Sequence, residues 1–99
     1  MRNRSRIEIM NQILEAANGC SSQSQITYKL FLSSALTKEY VTALIDSGLL
    51  MYELTSEKYK VTKKGTRFLE IYNEIEHMIN LSQQTLAMTI IFSDSQLPQ

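Results

Sequence analysis

Short polar and basic side chains recur on one side of a helix predicted in the middle of the chain. Between residues 32 and 50 the apolar residues have helical spacing, and the side away from them carries Ser34, Thr37, Lys38 and Thr42. Hydroxyl and ammonium groups donate hydrogen bonds to phosphate oxygens and base edges, and small side chains let a helix approach a groove closely. This face therefore predicts contact with a nucleic acid, with the alternative that it is the solvated face of an ordinary amphipathic helix.

The ends of this helix are also marked in the sequence. Ser33 or Ser34 can accept a hydrogen bond from a free amide of the first turn, and Gly48 can adopt the left-handed conformation that ends a helix. The face predicted to meet the core consists of Leu36, Tyr40, Leu44 and Ile45. A shorter helix before it and two strands after it would complete a winged helix-turn-helix, in which this helix enters a DNA groove.

Two helices are predicted upstream, each with a start signal. Ser5 and Glu8 form a capping box that opens the first helix, whose apolar residues then keep helical spacing. Ser22 and Gln25 form a second box, and a short helix should follow it and end near Leu32. The spacing between this helix and the next is that of a compact helix-turn-helix.

After Gly48 the apolar period changes from helical to alternating, which predicts a β-hairpin around a polar turn at residues 55–58. An isolated hairpin is marginally stable, so it should pack on the helices. The side chains expected to make that contact are Tyr52, Leu54, Tyr59 and Val61. Lys58 and Lys60 suit a wing that touches a phosphate backbone or a minor groove, although a solvated hairpin would also carry lysines.

Basic residues also lie at two helix starts. Lys63 and Lys64 follow Thr62, the predicted cap of the last helix, and cations at that positive end cost about 0.3–1 kcal/mol each. A phosphate bound at this helix start would make the charge of the two lysines favourable, so the pair is predicted to contact a DNA backbone. The alternative is that salt screens the lysines and makes them harmless. Arg4 and Arg6 predict either a basic arm along the phosphates or a disordered, solubilising end.

A heptad-like stripe of apolar residues runs along the last predicted helix. With no Gly or Pro in residues 67–92, the helix should continue from Thr62 to about Ile91, roughly 45 Å at 1.5 Å per residue. It would overhang a domain whose radius of gyration should be near 13 Å, and leave the stripe in water. The alternative is a helix that bends back at residues 80–84. The overhang predicts a homodimer in which the contacting residues are Phe68, Tyr72, Ile75, Met78, Ile79 and Leu86.

These elements divide the chain into a winged helix-turn-helix domain (1–66), a dimerisation helix (67–92) and a disordered tail (93–99). All ten Lys and Arg residues lie in residues 1–67, which carry a net charge of +4, and residues 68–99 carry −4. The two ends should therefore have different functions. Binding of DNA by the basic part should weaken steeply as salt rises.

The composition argues against several classes of protein. The lone Cys20 cannot form an internal disulfide, and no apolar run approaches the roughly 20 residues of a membrane helix, so a cytoplasmic protein without a membrane partner is expected. One histidine, His77, and one cysteine cannot build a metal site of the usual spacing, and no Gly-rich phosphate loop or nucleophile elbow occurs. We therefore predict no enzyme, no metal, no cofactor and no small-molecule ligand.

One ordered pattern of residues spans position 5 to about position 72. Its parts are Arg6–Met10, Ile13–Ala17, Ile26–Tyr28, Leu32-Ser33, Leu36, Tyr40, Leu44, Gly48–Leu50, Tyr59, Thr62–Gly65 and Phe68-Leu69. The pattern resembles the small archaeal winged-helix DNA-binding proteins of roughly ten kilodaltons. The resemblance implies a chromatin-associated or regulatory DNA binder that dimerises through an antiparallel coiled coil of its C-terminal helix.

The resemblance also implies site positions. It places Ser34, Thr37, Lys38 and Thr42 on the recognition helix and the two hairpin lysines on the wing. The chain departs from the family in its neutral charge, which favours sequence-selective regulation over bulk coating of DNA, and in its acidic last helix. We therefore expect a homodimeric transcriptional regulator of duplex DNA. The competing hypothesis is a protein-interaction module that uses the winged helix as a scaffold and the acidic helix for docking.

Overall fold

The chain folds into helices and one two-stranded hairpin, in the order predicted from the sequence. The computed structural model describes the backbone of residues 4–96 and the side chains of residues 4–80. The elements are α1 (Arg6–Ala17), α2 (Gln23–Leu30), α3 (Ser34–Asp46), β1 (Leu50–Glu53), β2 (Lys58–Val61) and α4 (Lys63–Gln96). This confirms a mainly α fold in which a helix-turn-helix precedes a small hairpin and a long C-terminal helix.

Side-chain caps define where the first helices begin, as predicted. The Glu8 amide donates to Ser5 Oγ at 3.1 Å, and the Leu36 amide donates to Ser33 Oγ at 3.0 Å. At α2 the capping box is complete, because Ser22 Oγ accepts from the Gln25 amide and Gln25 Oε1 accepts from the Ser22 amide. Each cap satisfies amides that have no partner within their own helix.

The core lies where α1 packs against α2, α3 and α4. Its fully buried apolar residues come from four elements, namely Ile13, Leu14, Ile26, Leu44 and Leu50. Tyr59, Val61 and Phe68 pack against this cluster from the hairpin and from the first turns of α4. The hairpin is therefore attached to the helices and closes one side of the core.

The buried face of α3 differs from the predicted one. Thr37, Val41 and Leu44 are buried, whereas Ile45 is 38 % exposed and Tyr40 is only half-buried. The predicted core face of Leu36, Tyr40, Leu44 and Ile45 is therefore confirmed at Leu44, and Tyr40 packs against the core, but it is wrong at Ile45, and the buried face includes Thr37 and Val41. Thr37 can be buried because its hydroxyl accepts from Thr27 Oγ1 and donates to the Ser33 carbonyl, both at 2.9 Å.

The hairpin pairs Leu50 with Val61 and Tyr52 with Tyr59. The two tyrosine rings of the second pair lie 5.0 Å apart between centroids. Leu54 was predicted to face inward, but it is 82 % exposed, and Tyr52 is 39 % exposed. The prediction failed for Leu54 because β1 ends at Glu53, so the alternation of strand faces no longer applies in the turn.

Helix α4 makes the molecule elongated. It has 34 residues, or about 51 Å at 1.5 Å per residue, and the molecule measures 69 × 29 × 20 Å. The radius of gyration is 18.3 Å, against roughly 13 Å for a compact domain of this length. The helix continues through residues 80–84 and up to Gln96, so residues 93–96, predicted as tail, are helical. Residues 97–99 lie outside the described part.

A close approach between α4 and the segment before β1 positions the long helix. Gly65 is buried, and a Cβ at this residue would collide with the backbone carbonyl of Leu49 and lie 2.6 Å from Val61 Cγ1. The Thr62 amide donates to the same Leu49 carbonyl at 3.2 Å. Glycine is therefore required at position 65 for steric reasons, since no side chain fits between these backbones.

Replacement of Gly65 by alanine should destabilise the protein by about 3 kcal/mol or more, the upper end of the usual cost of overpacking. A loss of stability is informative because a glycine-to-alanine substitution within a helix otherwise stabilises a protein by about 1 kcal/mol. Urea unfolding followed by circular dichroism measures the change. The matched control is Thr66→Ala at the next, exposed position, which should be neutral or slightly stabilising. Equal stability of both variants would contradict this packing.

Candidate nucleic-acid interface

The exposed side of α3 carries three of the four residues predicted to face DNA. Ser34, Lys38 and Thr42 are exposed, and Thr42 Oγ1 donates to the Lys38 carbonyl at 2.8 Å. Thr37 is completely buried against Thr27, so the prediction that it faces a groove is wrong. A threonine is compatible with both environments, because its methyl group packs and its hydroxyl finds partners inside the helix pair.

The charge of this surface changes along α3. Glu39 and Asp46 are exposed, and they lie opposite the buried Thr37, Val41 and Leu44 on a helix with 3.6 residues per turn. Acids therefore lie on the outer side of α3 near its middle, at Glu39, and at its last residue, Asp46. In contrast, residues 16–38 contain no acid and include Lys29 and Lys38. The surface that suits an anion is therefore α2 together with the first turns of α3.

One of the two hairpin lysines is paired within the hairpin. Lys60 Nζ lies 2.9 Å from Glu53 Oε2, across the two strands. The hydrogen bond from Lys60 lowers the pKa of the Glu53 carboxyl, and the same bond raises the pKa of Lys60, so both groups stay charged around neutral pH. Lys58, at the start of β2, is half-buried, as is common for lysines whose methylene groups lie along the protein surface. The wing thus carries less free positive charge than the sequence suggests.

The two lysines at the start of α4 have different environments. Lys64 Nζ donates to the Ser47 carbonyl at 2.7 Å, which places its charge at the negative C-terminal end of α3. Lys63 is exposed and forms no ion pair with any other residue whose side chain is described. Thr62 caps α4 as predicted, since its Oγ1 accepts from the Gly65 amide at 3.0 Å and donates to the Gly48 carbonyl at 2.6 Å.

The N-terminal arginines are only partly described. Arg4 Nη1 donates to Gln12 Oε1 at 2.8 Å, so this side chain lies along α1, and Arg6 is exposed in the first turn. The rest of the predicted arm, residues 1–3, lies outside the described part of the chain. In the described part of the chain, Arg4 and Arg6 therefore lie at α1 and not beside the hairpin or α3.

Several exposed apolar residues were not recognised in the sequence as surface residues. Tyr28 is 84 % exposed and Phe31 is 81 % exposed, both at the end of α2 next to the start of α3. A shallow cleft of about 370 Å³ lies between the start of α2, the end of α3 and the hairpin, lined by Gln23, Ile45, Tyr52, Glu57 and Tyr59. Burial raises the pKa of the Tyr59 hydroxyl, and Glu57 is the acid among the lining residues.

No group suggesting catalysis assembles among the residues that the structure describes. Histidine, cysteine and carboxylate side chains in this part of the chain form no cluster that could hold a metal. His77 is exposed on α4, and Cys20 is a half-buried free thiol. None of the described helices is long and apolar enough to cross a membrane.

Lys64→Ala should destabilise the protein by about 0.3–1 kcal/mol, because the substitution removes a charged donor from the C-terminal end of α3. Lys63→Ala is the matched control: it removes a cation from the same positive end of α4 but no contact with Ser47, so it should be neutral or stabilise the protein by up to about 1 kcal/mol. Urea unfolding of the two variants beside the native protein measures the difference. If the two substitutions have the same effect, the contact between Lys64 and Ser47 contributes nothing.

Comparison with known proteins agrees with this arrangement of elements. A solved structure with a similar fold is that of Sso10a-2, a DNA-binding protein from Sulfolobus solfataricus, with a TM-score of 0.67 and 19 % sequence identity over 86 % of this chain and 95 % of that chain. No curated protein has a sequence that matches this one. The family model described as winged helix-turn-helix matches residues 3–80. Since that is most of the chain, the protein belongs to the winged helix-turn-helix family.

Proposed function

We propose that this protein is a DNA-binding transcriptional regulator that inserts the N-terminal half of α3 into the major groove of duplex DNA. The observation that carries the proposal is the surface of α2 and the start of α3, which is exposed, rich in hydroxyl and amide groups, and free of acids over residues 16–38. The similar fold of Sso10a-2, itself a DNA-binding protein, supports it.

The contacts divide between groove and backbone. Ser34, Lys38 and Thr42 are the candidates for the groove, since they are exposed polar residues of α3, and Lys38 can reach either a base edge or a phosphate. Thr42 lies about one turn from both Glu39 and Asp46, so it is the weakest candidate of the three. Lys58 is the candidate wing contact with the phosphates, and Lys63 is the exposed cation at the start of α4. Lys60, Lys64, Arg4 and Arg6 remain weaker candidates, because all but Arg6 already have a partner within the chain.

The neutral charge of the chain favours selective binding over coating of DNA. Non-specific affinity comes almost entirely from cations that replace counterions on the phosphates. Here the ten cations are balanced by ten acids, and Lys60 and Arg67 lie in ion pairs with Glu53 and Glu70. Affinity must then come from contacts to base edges, which depend on sequence.

A second copy of the chain is the proposed partner of α4. Ile75, Met78 and Ile79 are 50–65 % exposed beyond the domain, and Ile71 is 40 % exposed. Ile7 of α1 extends this apolar surface, and a groove of about 410 Å³ lies between Ile7 and the side of α4 at Tyr72, Ile75 and Ile79. Monomeric proteins rarely leave such a stripe in water, and the same stripe on a second copy is complementary to it. Residues 67–92 would form this dimerisation helix.

Charge favours an antiparallel arrangement of the two helices. Three of the four acids of α4 cluster at Glu70, Glu74 and Glu76, and the fourth is Asp94 near the end of the helix. Residues 77–93 contain no Asp, Glu, Lys or Arg. A parallel pair would place the acidic segments side by side, whereas an antiparallel pair can place each against an uncharged segment. Phe68 and Tyr72, predicted at the seam, are half-buried on their own domain and would lie at the edge of the interface; the side chain of Leu86 is outside the described part.

Mutation of single cations should separate free lysines from paired ones. Lys38→Ala and Lys63→Ala should each weaken binding to every duplex and reduce the slope of log affinity against log salt by about 0.9. Lys60→Ala should have a smaller effect, because Glu53 already neutralises this lysine. Glu53→Gln should strengthen binding, since it removes an acid and releases Lys60. Fluorescence anisotropy with a labelled duplex at several salt concentrations measures all four.

Selection of bound duplexes from a random pool tests the proposal as a whole. An enriched sequence with two symmetric halves supports a sequence-selective dimer. Absence of binding to any duplex at low salt would refute DNA binding. An affinity that does not change with salt would refute the proposed phosphate contacts.

Substitution of Met78 by glutamate should convert the proposed dimer to a monomer, because it adds an acid to an apolar seam whose neighbours are already acidic. Light scattering should then give the mass of one chain, 11.4 kDa, in place of twice that value for the native protein. Asn73→Ser, on an exposed residue away from the stripe, is the control and should remain dimeric. A native mass of one chain at micromolar concentration would exclude the dimer.

The second candidate function is a protein-interaction module without DNA binding. The outer side of α3 carries Glu39 and Asp46, and Lys60 and Lys64 are engaged within the fold, so part of the expected basic surface is absent. The two candidates differ in one simple observation. A regulator retains a labelled duplex at low salt, whereas a module of this kind does not.

A further inference from the structure

We propose that Tyr28 and Phe31, at the corner between α2 and α3, contact DNA by apolar packing, with Phe31 against thymine methyl groups in the major groove. This inference rests on the proposed function, because it assumes that the N-terminal end of α3 enters the groove. Neither aromatic residue is among the polar and basic residues proposed above to contact DNA, and the sequence pattern did not identify either one as a surface residue.

The two side chains are almost completely outside the fold. Tyr28 is 84 % exposed and Phe31 is 81 % exposed, whereas Tyr40, Tyr59 and Phe68 are packed against the core. Large aromatic side chains dominate interfaces when a partner covers them, and these two lie three residues apart at the same end of α2. The structure therefore leaves a small aromatic surface beside the recognition helix.

The backbone at Phe31 holds this ring in place. Phe31 has a left-handed conformation, with φ 55° and ψ 42°, which is uncommon for a bulky residue and is usually taken by glycine or asparagine. The Leu32 amide donates to the Thr27 carbonyl at 3.1 Å, which closes the turn around Phe31. Phenylalanine thus occurs where packing within the chain does not require it and where the backbone disfavours it.

The aromatic surface adjoins the start of α3. Thr27 and Thr37 are joined by a hydrogen bond of 2.9 Å between their hydroxyls, and Tyr28 and Lys38 are the exposed residues that directly follow them. Phe31 lies two residues before Ser33, the cap of α3, and Ala35 is exposed in the first turn. Alanine and phenylalanine are both side chains that contact the thymine methyl group in the major groove.

Charge identifies the partner of this surface as an anion. The segment from residue 16 to residue 38 has no acid; Lys29 lies between the two aromatic residues in sequence, and Lys38 follows them in the second turn of α3. The exposed apolar stripe on α4 is instead surrounded by Glu70, Glu74 and Glu76. Duplex DNA presents phosphates at the edges of a groove and methyl groups on its floor, which fits aromatic side chains accompanied by lysines.

The experiment uses the full-length protein and three duplexes about two helical turns long, one of A·T pairs, one with uracil in place of every thymine, and one of G·C pairs. Uracil removes only the methyl groups. The native protein should bind the uracil duplex roughly four-fold more weakly for each methyl group contacted. Phe31→Asn, which suits the left-handed backbone, should bind both A·T-type duplexes equally, and Phe31→Tyr should restore most of the preference for thymine.

Salt dependence separates apolar contacts from charge. Tyr28→Ser and Phe31→Asn should weaken binding to the thymine duplex without changing the salt slope, whereas Lys38→Ala should change the slope. Circular dichroism and urea unfolding show that the variants remain folded. If the native protein binds DNA but Phe31→Asn or the uracil duplex makes no difference, this inference is overturned and DNA binding stands. If the loss from Phe31→Asn is equal on both duplexes, the assignment to thymine is overturned. If the native protein binds neither these duplexes nor any duplex selected from the random pool at low salt, both proposals are overturned; if it binds only a selected duplex, the uracil substitution is made in that duplex and the result has the same meaning.

Discussion

The rest of this structure depends on the contact between the start of α4 and the end of α3. Only Thr62 separates β2 from α4, so the direction of the long helix is set within a few residues. Thr62 bonds the Gly48 carbonyl, Gly65 lies against the backbone of Leu49, and Lys64 reaches the Ser47 carbonyl. Residues 62–65 therefore fix the end of α3, strand β1 and helix α4 relative to one another. Any geometry between two DNA-binding surfaces in a dimer would follow from it.

Several cations have partners within the chain, so net charge is a poor guide to the charge that a partner molecule would meet. Lys64 neutralises a helix end, Lys60 compensates an acid on the facing strand, and Arg67 lies 3.5 Å from Glu70 on the next turn. These cations stabilise the fold modestly, and they are less available to phosphates. The cations that remain for a partner are those of α2 and α3 together with Lys58, Lys63 and Arg6. The charge available to a partner thus differs from the net charge of the whole molecule.

The sequence predicted the features that depend on neighbours along the chain. The caps at Ser5, Ser22, Ser33 and Thr62 and the left-handed Gly48 are local, and all are present. The predicted burial of α3 was wrong at Thr37 and Ile45 because threonine and isoleucine can each lie near the border between the buried and exposed faces of a helix. Thr37 is buried because its hydroxyl bonds that of Thr27, ten residues away along the chain. The partner of Lys64 lies seventeen residues away, at a distance along the chain that spacing arguments do not reach. Whether the predicted site residues contact DNA remains a prediction.

Two of the exposed apolar surfaces in the described part of the structure differ in the charge around them, and this charge indicates a different partner for each. Ile75, Met78 and Ile79 on α4 lie among glutamates, which would repel phosphates, so a protein surface is the compatible partner. Tyr28 and Phe31 lie in a segment without acids, where a polyanion can approach at no electrostatic cost. Burial of apolar area has no direction and cannot by itself distinguish these partners. In a neutral protein with little free positive charge, the distribution of acids around the apolar residues therefore favours one of these surfaces over the other for the proposed contact with DNA.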